Sequence, residues 1–366
     1  MANTRTETWN ADRMSKICVV TGGAGFIGCA LSTKLADRFG RVIVIDSLHP
    51  QIHAERKRPV ELDPRVELII ADVTEASTWA QALETVRPDV VVHLAAETGT
   101  GQSLTEASRH ALVNVVGTSR MLDAFAAASH VPERFVLSSS RAVYGEGAWR
   151  SMKSGEVTYP GQRSRQQLER AEWDFLGLEP MSMNAESVVP HPSSIYGATK
   201  LAQEQMLRSW ALSFGSAVNV LRLQNVYGPG QSLTNPYTGI VSLFIRMARE
   251  GKSIPIYEDG NIGRDFVFID DVGSAIVMAT ETELSQSLAY DVGTGQKTTI
   301  LELAKIIAGR YGAPEPHVNG MYRNGDVRWA VAEIGRTVTD LKWQPQCSVE
   351  SGIGRLCDWV DMRLNS

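Results

Sequence analysis

Cysteine is scarce in this chain of 366 residues: Cys18, Cys29, Cys347 and Cys357 lie far apart with no CxxC spacing. That excludes a disulfide framework and a zinc knuckle, leaves buried free thiols, and gives no reason to expect a metal. Neither sign of charge dominates. Lys and Arg number 36 against 41 Asp and Glu, a net charge of -5, so the basic footprint that neutralises nucleic-acid phosphates is missing and no nucleic-acid partner is expected. Long apolar runs are absent too. Polar groups break every hydrophobic stretch within about eight positions, short of the roughly 18 needed to span a membrane. The stretch from Met1 to Lys16 has no apolar segment of the kind a secretory signal needs. A soluble, cytoplasmic protein with a disordered tail over 1–15 is expected. With 43% hydrophobic residues, the chain can bury a sizeable core in one or two domains.

What is present is an alternation. Short β-branched runs at Ile17–Thr21, Val42–Asp46, Glu67–Asp72, Val90–Leu94 and Phe135–Ser138 are each separated by enough chain for a helix. Strands this apolar, joined by crossovers, predict a parallel sheet covered on both faces. Helical spacing predicts one long helix over Ser108–Ser129 and another from Tyr196 to about Ser213, followed by a strand at Val218–Leu223. Two such helices suit a homodimer interface, with ordinary core packing as the alternative. Beyond Gly228 the text turns Gly- and Pro-rich, through Pro229, Gly230, Pro236, Tyr237 and Gly239. It then predicts helices at Ile240–Glu250, Ile300–Tyr311 and Ser351–Met362 and strands at Asp265–Ile269 and Leu288–Val292.

The first strand runs into Thr21-Gly-Gly-Ala-Gly-Phe26-Ile27-Gly28, with Gly22, Gly25 and Gly28 three apart where a helix begins. Such a turn lets a pyrophosphate approach backbone N–H groups at the positive end of a helix. Asp46 ends the second strand at the distance expected of a ribose-binding carboxylate. Its charge disfavours a 2′-phosphate and so favours NAD, although Arg41 and His49 pull the other way. Asp72-Val73, Leu94-Ala95-Ala96 and Ser138 end further strands at the same carboxyl edge. Asp72 could receive the adenine amino group.

Tyr196 and Lys200 stand four apart, on one face of a helix. A nearby ammonium stabilises a phenolate and lowers a phenol's pKa, which turns tyrosine into an acid/base. Serines 138–140 place hydroxyls at the sheet edge, where one could share a proton with Tyr196.

The ordered set TGGAGFIG, HLAA, SSSRAVYG, YGATK, RLQNVYGPGQS and GRDFVFIDDV resembles the extended short-chain dehydrogenase/reductase family of nucleotide-sugar epimerases and dehydratases, over roughly residues 16–362. The resemblance implies a Rossmann-type α/β fold, a doubly wound parallel sheet with a smaller C-terminal α/β substrate-binding domain. It also implies NAD as cofactor and an NDP-sugar substrate. Tyr196 is then the acid/base, Lys200 binds the nicotinamide ribose and tunes that tyrosine, and Ser140 is the hydroxyl partner. Asn114 matches the asparagine that supports the active-site helix and cofactor. Asn225, Arg264 and Arg323 match positions that contact the NDP diphosphate or its ribose, though Arg264 could instead pair with Asp265.

Dehydratases of this family resemble Thr-Asp-Glu where this chain has Ser140-Arg141-Ala142, so elimination lacks its acid and base and 4-epimerisation through a transient 4-keto sugar is expected. An NDP-sugar dehydratase, a 4-keto-sugar reductase and a non-catalytic NAD-binding protein are the alternatives. The loops 97–103 and 228–239 resemble the dTDP-L-rhamnose 4-epimerase-like group more than UDP-glucose 4-epimerases, and place Gln102 and Ser103 near the sugar. The expected division is an NAD-binding domain over 16–226 with an insertion over 146–192, and a mainly substrate-binding domain over 227–366 whose segment 265–293 partly returns to the first. The insertion carries Arg163, Arg165, Arg170 and Trp173 and could be a lid, an oligomer contact or a structural cover.

Overall fold

A computed structural model describes residues 15–233, 239–282, 284 and 286–365. The expected tail over 1–15, apart from Ser15, and the turn residues Pro236 and Tyr237 lie outside the described residues. The chain forms two compact units. One runs from the first described residue to Ser139 and adds Thr199–Leu221 and Gly273–Ala289; the other holds Ser140–Ala198, Arg222–Val272 and the chain from Tyr290 onward.

The first unit is built on a seven-stranded parallel sheet. Its strands are β1 (Ile17–Thr21), β2 (Arg41–Asp46), β3 (Glu67–Ile70), β4 (Val90–His93), β5 (Arg134–Ser140), β6 (Ala217–Leu223) and β7 (Leu288–Val292). Their order is β3-β2-β1-β4-β5-β6-β7, so the direction of winding reverses beside β1, the doubly wound arrangement that opens a crevice at the carboxyl edge. Register there is tight: Thr21 pairs with Ile45 on one side and His93 on the other. The strands fall where the alternation predicts them, to within two residues. β3 stops at Ile70 because Asp72 turns back to accept from the Thr74 backbone N–H and hydroxyl, both at 2.8 Å, which ends the extended run.

One expected helix is not continuous. The segment predicted as a single helix over Ser108–Ser129 contains an α-turn at Ala107–His110, a π-helical turn at Ala111–Val116, and α-helix again at Gly117–Ala127. The widened turn carries Asn114, which is fully buried. Turns of this kind recur at functional sites because they re-aim one side chain without ending the helix.

In the second unit the insertion forms a three-stranded antiparallel patch, with Trp149–Ser151 between Val157–Thr158 and Leu178–Pro180. Asn225–Tyr227 pairs in parallel with Phe266–Phe268, and the rings of Tyr227, Phe266 and Phe268 meet edge to face in its core. The helix Ile300–Tyr311 matches its expected bounds because both ends are written in the sequence. Thr299 and Glu302 form a capping box, and Gly312 ends it in a left-handed conformation. Among the described residues no helix is long and apolar enough to cross a membrane, and no His, Cys, Asp and Glu cluster could hold a metal.

Candidate active site

Steric packing dictates the glycine turn of the first unit. Gly22 adopts φ +67°, and a Cβ there would stand 2.7 Å from the Ala95 backbone. At Gly28 a Cβ would drive into the Gly23 carbonyl, so any larger residue would push the helix Phe26–Ala36 off the turn. Gly25 caps that helix with no side chain and no acidic residue follows in the first turn, which leaves the positive helix end for an anion. Phe26 and Ile27 are half-buried beside it. Asp46 ties the turn to the next loop, accepting from the Ala24 N–H at 3.0 Å with one oxygen and from Leu48 at 2.8 Å with the other. The two residues that pull the other way in the sequence have partners of their own: Arg41 forks onto Glu67 at 2.7 and 2.8 Å, and His49 Nδ1 accepts from Gln51 N–H. This set of groups, a backbone cradle that a Cβ would fill beside a carboxylate, fits an unphosphorylated dinucleotide. Val73 is buried behind the neighbouring strand end, its carbonyl accepting from the Trp79 ring N–H. Leu94 and Ala95 donate to Thr21 through their backbone N–H groups, and Ala96 follows half-buried.

Beneath this edge runs a buried polar chain that sequence reasoning missed. His93, fully buried, has Nδ1 2.7 Å from Thr21 Oγ1 and Nε2 2.9 Å from Thr118 Oγ1. Gln203 donates to Thr118 at 2.9 Å and accepts from the Lys200 ammonium at 2.5 Å. Burial, then the Lys200 charge, hold His93 down at about 3, so it stays neutral. Burial likewise pulls Lys200 down to about 7, partly offset by the Glu204 carboxylate, which also accepts from Ser139 Oγ at 2.5 Å. A polar residue inside an apolar strand, His93 in Val-Val-Val-His, was the available signal. Asn114 braces the helix Ile195–Phe214 through Thr199 Oγ1 at 2.9 Å and grips both backbone groups of Glu97. Gln102 and Ser103 are spent inside the unit. Gln102 is buried against Gln51 and Glu106, and Ser103 bonds the Thr100 carbonyl. Ser138 is half-buried near the end of β5.

The second unit holds the hydroxyl pair. Ser140 ends β5 and caps the turn Arg141–Tyr144 by accepting from Ala142 N–H at 3.1 Å, and its side chain hydrogen-bonds Tyr196. Gly197 follows Tyr196 where a side chain would strike the Ala142 carbonyl, so the helix start lies close against this turn. The protein packed around Tyr196 raises its pKa above the ordinary phenol value, while the Ser140 hydrogen bond and then the Arg141 charge work to lower it. Lys200, the residue from which the sequence leads one to expect that lowering, donates to Gln203 at 2.5 Å.

Among the expected substrate contacts, Asn225 accepts from Arg141 Nε at 2.8 Å. Arg264 forms no ion pair with Asp265, whose carboxylate is filled by Thr294, Gly295 and Ala332. Among the described residues it bonds only the Gly263 carbonyl, and burial, together with repulsion from Arg141, lowers it to about 9. Arg323 is exposed and stacks on the Tyr257 ring. In the insertion, Arg163 is buried and forks onto Glu258 at 2.8 and 2.9 Å while holding the Asp326 carbonyl. Arg328 adds Asp174, Asp259 and Glu258. These partners are 69 to 163 positions apart, and no local pattern announces them.

This arrangement can hold a dinucleotide on one unit, and on the other pass a proton through a serine–tyrosine pair set among unneutralised guanidiniums. Comparisons with known proteins agree with it. Residues 18–165 and 177–293 match the NAD dependent epimerase/dehydratase family. The chain is 57% identical over 350 residues to a dTDP-L-rhamnose 4-epimerase of Burkholderia thailandensis, covering 96% of each. It is 31% identical to a UDP-glucose 4-epimerase of Mycolicibacterium smegmatis, covering 93% of this chain and 97% of the relative. A UDP-glucose 4-epimerase of Thermotoga maritima, solved with UDP-glucose, superposes with a TM-score of 0.77 at 27% identity over 95% of this chain and 99% of that one. A UDP-glucose 4-epimerase of Thermus thermophilus in complex with NAD gives 0.72 at 25% over 94% and 99%. With its glycine turn, its serine–tyrosine pair and this breadth of likeness, the chain belongs to the NAD dependent epimerase/dehydratase family.

Proposed function

We propose that this protein inverts C4 of an NDP-hexose, with dTDP-L-rhamnose or a related dTDP-6-deoxyhexose as substrate. The observation that carries this is the 57% identity to a dTDP-L-rhamnose 4-epimerase across 96% of both chains. Arg141 and Ala142 supply no carboxylate for elimination, which favours epimerisation over dehydration.

Gly22, Gly25, Phe26, Ile27 and Gly28 would hold the pyrophosphate, Asp46 the adenosine ribose, and Lys200 the nicotinamide ribose, with Asp72, Val73, Leu94, Ala95, Ala96, Asn114 and Ser138 around them. NAD, when bound, supplies the acceptor and then the donor of the C4 hydride. Tyr196 takes the proton of the C4 hydroxyl as the bond to hydrogen at C4 breaks, and Ser140 hydrogen-bonds the same oxygen. Asn225, Arg264 and Arg323 grip the nucleotide diphosphate, so that the 4-keto sugar can turn about that tether and present its other face. Tyr196 then returns the proton.

We place the protein in the cytoplasm, in keeping with its four unpaired cysteines. We also propose a homodimer, in which a second copy covers the apolar side chains left exposed on the two long helical segments of the first unit, Leu112, Val116 and Leu212. Light scattering on the wild type and on Leu212→Glu tests it, with a dimer that dissociates as the expected result.

The activity is tested by equilibrating the purified protein with dTDP-L-rhamnose, UDP-glucose and UDP-GlcNAc and following the sugar protons by NMR. Inversion at C4 of the first, with no net cofactor consumed, is expected. Loss of water or stoichiometric NADPH oxidation would overturn it.

A further inference from the structure

A single guanidinium joins three segments of the second unit that lie far apart in the sequence. Arg163, in the insertion over 146–192, is buried and uses both of its terminal nitrogens. Nη1 donates to the Trp173 carbonyl at 3.0 Å and to Glu258 Oε2 at 2.8 Å. Nη2 donates to Glu258 Oε1 at 2.9 Å and to the Asp326 carbonyl at 2.8 Å. Glu258 takes a left-handed backbone, φ +54°, in a turn that the Gly260 N–H closes on the Tyr257 carbonyl. That conformation is unfavourable for a residue with a side chain, and a buried ion pair adds little stability over an apolar pair of similar volume. Strain of this kind persists where surrounding contacts impose it, and it points to a use beyond stability. What the pair holds is the loop 321–328. The Glu258 backbone N–H donates to the Met321 carbonyl at 2.7 Å and Arg163 takes the Asp326 carbonyl, so the loop is fixed at two points. Arg323 lies between them. Its exposed guanidinium stacks on the ring of Tyr257, the neighbour of Glu258, and among the described residues pairs with no carboxylate. Tyr322, beside it, meets the ring of Trp173, whose carbonyl Arg163 also holds.

We propose that Arg163 and Glu258 are positioning residues for substrate binding, and that the insertion, through this clasp, holds Arg323 ready for the diphosphate oxygens of an NDP-sugar. This rests on the reading of Arg323 as a diphosphate contact. Both members of the clasp are buried and act through the loop, with no bond made or broken at the pair. A loop left free would have to be ordered as the diphosphate binds, at the expense of affinity. With the loop already ordered, Arg323 presents its planar fork on a fixed stretch of backbone, the geometry that suits two phosphate oxygens at once.

The test uses the full chain loaded with NAD, titrated with dTDP by calorimetry. Two changes release the loop: Arg163→Lys, which keeps the charge and loses the fork, and Arg163→Met combined with Glu258→Met, which removes both charges and keeps the volume. Thermal melts identify a variant that fails to fold, and Arg163→Lys carries the test if the double change does. The double change should weaken dTDP by roughly tenfold, the effect of a loop contact left to be ordered on binding, and Arg163→Lys by roughly threefold. For dTDP-L-rhamnose KM should rise by the same factors while kcat stays within about twofold, the pattern of lost uniform binding. Arg323→Ala alone should weaken dTDP by roughly 10–100-fold, the range for a hydrogen bond to a charged group. In that background the clasp changes should add less than about twofold, because they act through the residue already removed. A clasp with a purely structural role would instead weaken dTDP by the same factor with or without Arg323. That result, or an unchanged affinity for dTDP in the folded clasp variants, overturns the proposal while leaving Arg323 on the diphosphate. Unchanged affinity in Arg323→Ala overturns that reading of Arg323, and the proposal with it.

Discussion

The two units treat their polar side chains in opposite ways. In the first, carboxylates and amides are satisfied internally: Asp46 by two backbone N–H groups, Asp72 by Thr74, Asn114 by Glu97 and Thr199, Gln102 by Gln51 and Glu106. The second unit buries one set of arginines, Arg163 and Arg328, in full ion pairs, and leaves another, Arg141 and Arg264, with no carboxylate partner among the described residues. The lesson concerns what each ligand demands. A dinucleotide is received through backbone groups, whose positions must be rigid beforehand. A diphosphate is received by cations, which must be kept unneutralised.

The largest effect expected is on the hydroxyl pair. Tyr196→Phe should lower kcat by roughly 10²–10⁴-fold, the usual share of a general acid/base, with the NAD content of the purified protein unchanged. A fall in NAD content would blur the division of labour between the units. Next comes the buried clasp. Arg163→Met strands Glu258, which keeps only the longer contact to Arg328, and should cost about 3 kcal/mol in urea unfolding, the low end for a broken buried pair. Replacing both Arg163 and Glu258 by apolar residues should recover part of that loss. In the first unit the corresponding break is Gly28→Ala, expected to cost about 1–3 kcal/mol as overpacking and to empty the protein of NAD. Retained NAD would mean that the turn gives more easily than the Gly23 carbonyl allows.

The pH dependence of stability should also divide the units, in protein freed of cofactor. Burial holds Glu146 of the second unit up at about 7 against an ordinary 4.5. The folded state therefore binds a proton that the unfolded chain has released, and this contribution, complete below 4.5, is lost as pH rises through about 7. Lys200 of the first unit runs the other way. Its folded value of about 7 lies below the ordinary 10.5, so its contribution is complete above 10.5 and is lost as pH falls through about 7. Urea midpoints against pH should therefore flatten below 7 in Glu146→Gln and above 7 in Lys200→Met. The smallest effect sharpens the clasp by contrast: Arg165, two positions from Arg163, makes an exposed i,i+4 pair with Glu169, and Arg165→Ala should cost under about 0.5 kcal/mol.

Much of this was legible in the sequence because it is written locally. The alternation of strands and helices, the glycine spacing before a helix, the capping box at Thr299 and Glu302, and the Tyr196–Lys200 interval all depend on residues within one turn of each other or within one unit of structure. The π-turn at Ala111–Val116 was not legible, since the apolar spacing of Leu112, Val115 and Val116 continues through it as it would through an α-helix. Nor were the contacts that define the second unit, because Arg141 reaches Asn225 across 84 positions and Arg163 reaches Glu258 across 95. Gln102 and Ser103 were named from their loop, and their own hydrogen bonds were not legible there. A loop read as bordering the sugar contains side chains whose polar atoms stabilise the loop itself.

The sheet order bears on how the molecule is made. β6 and β7 are the last two strands of the sheet and lie at its end, beyond β5, and the first unit needs Gly273–Ala289 as well as its N-terminal half. On a ribosome delivering roughly 5–20 residues each second, the glycine turn emerges early, but β5 waits for β6, and β6 for β7, while the chain in between is synthesised. For several seconds or more an apolar sheet edge stands unpaired, the state most open to aggregation. Stop codons or stalls between about residues 140 and 290 should therefore send this protein to chaperones and proteases, and shortening it to its N-terminal half should give an insoluble fragment instead of a small NAD-binding protein.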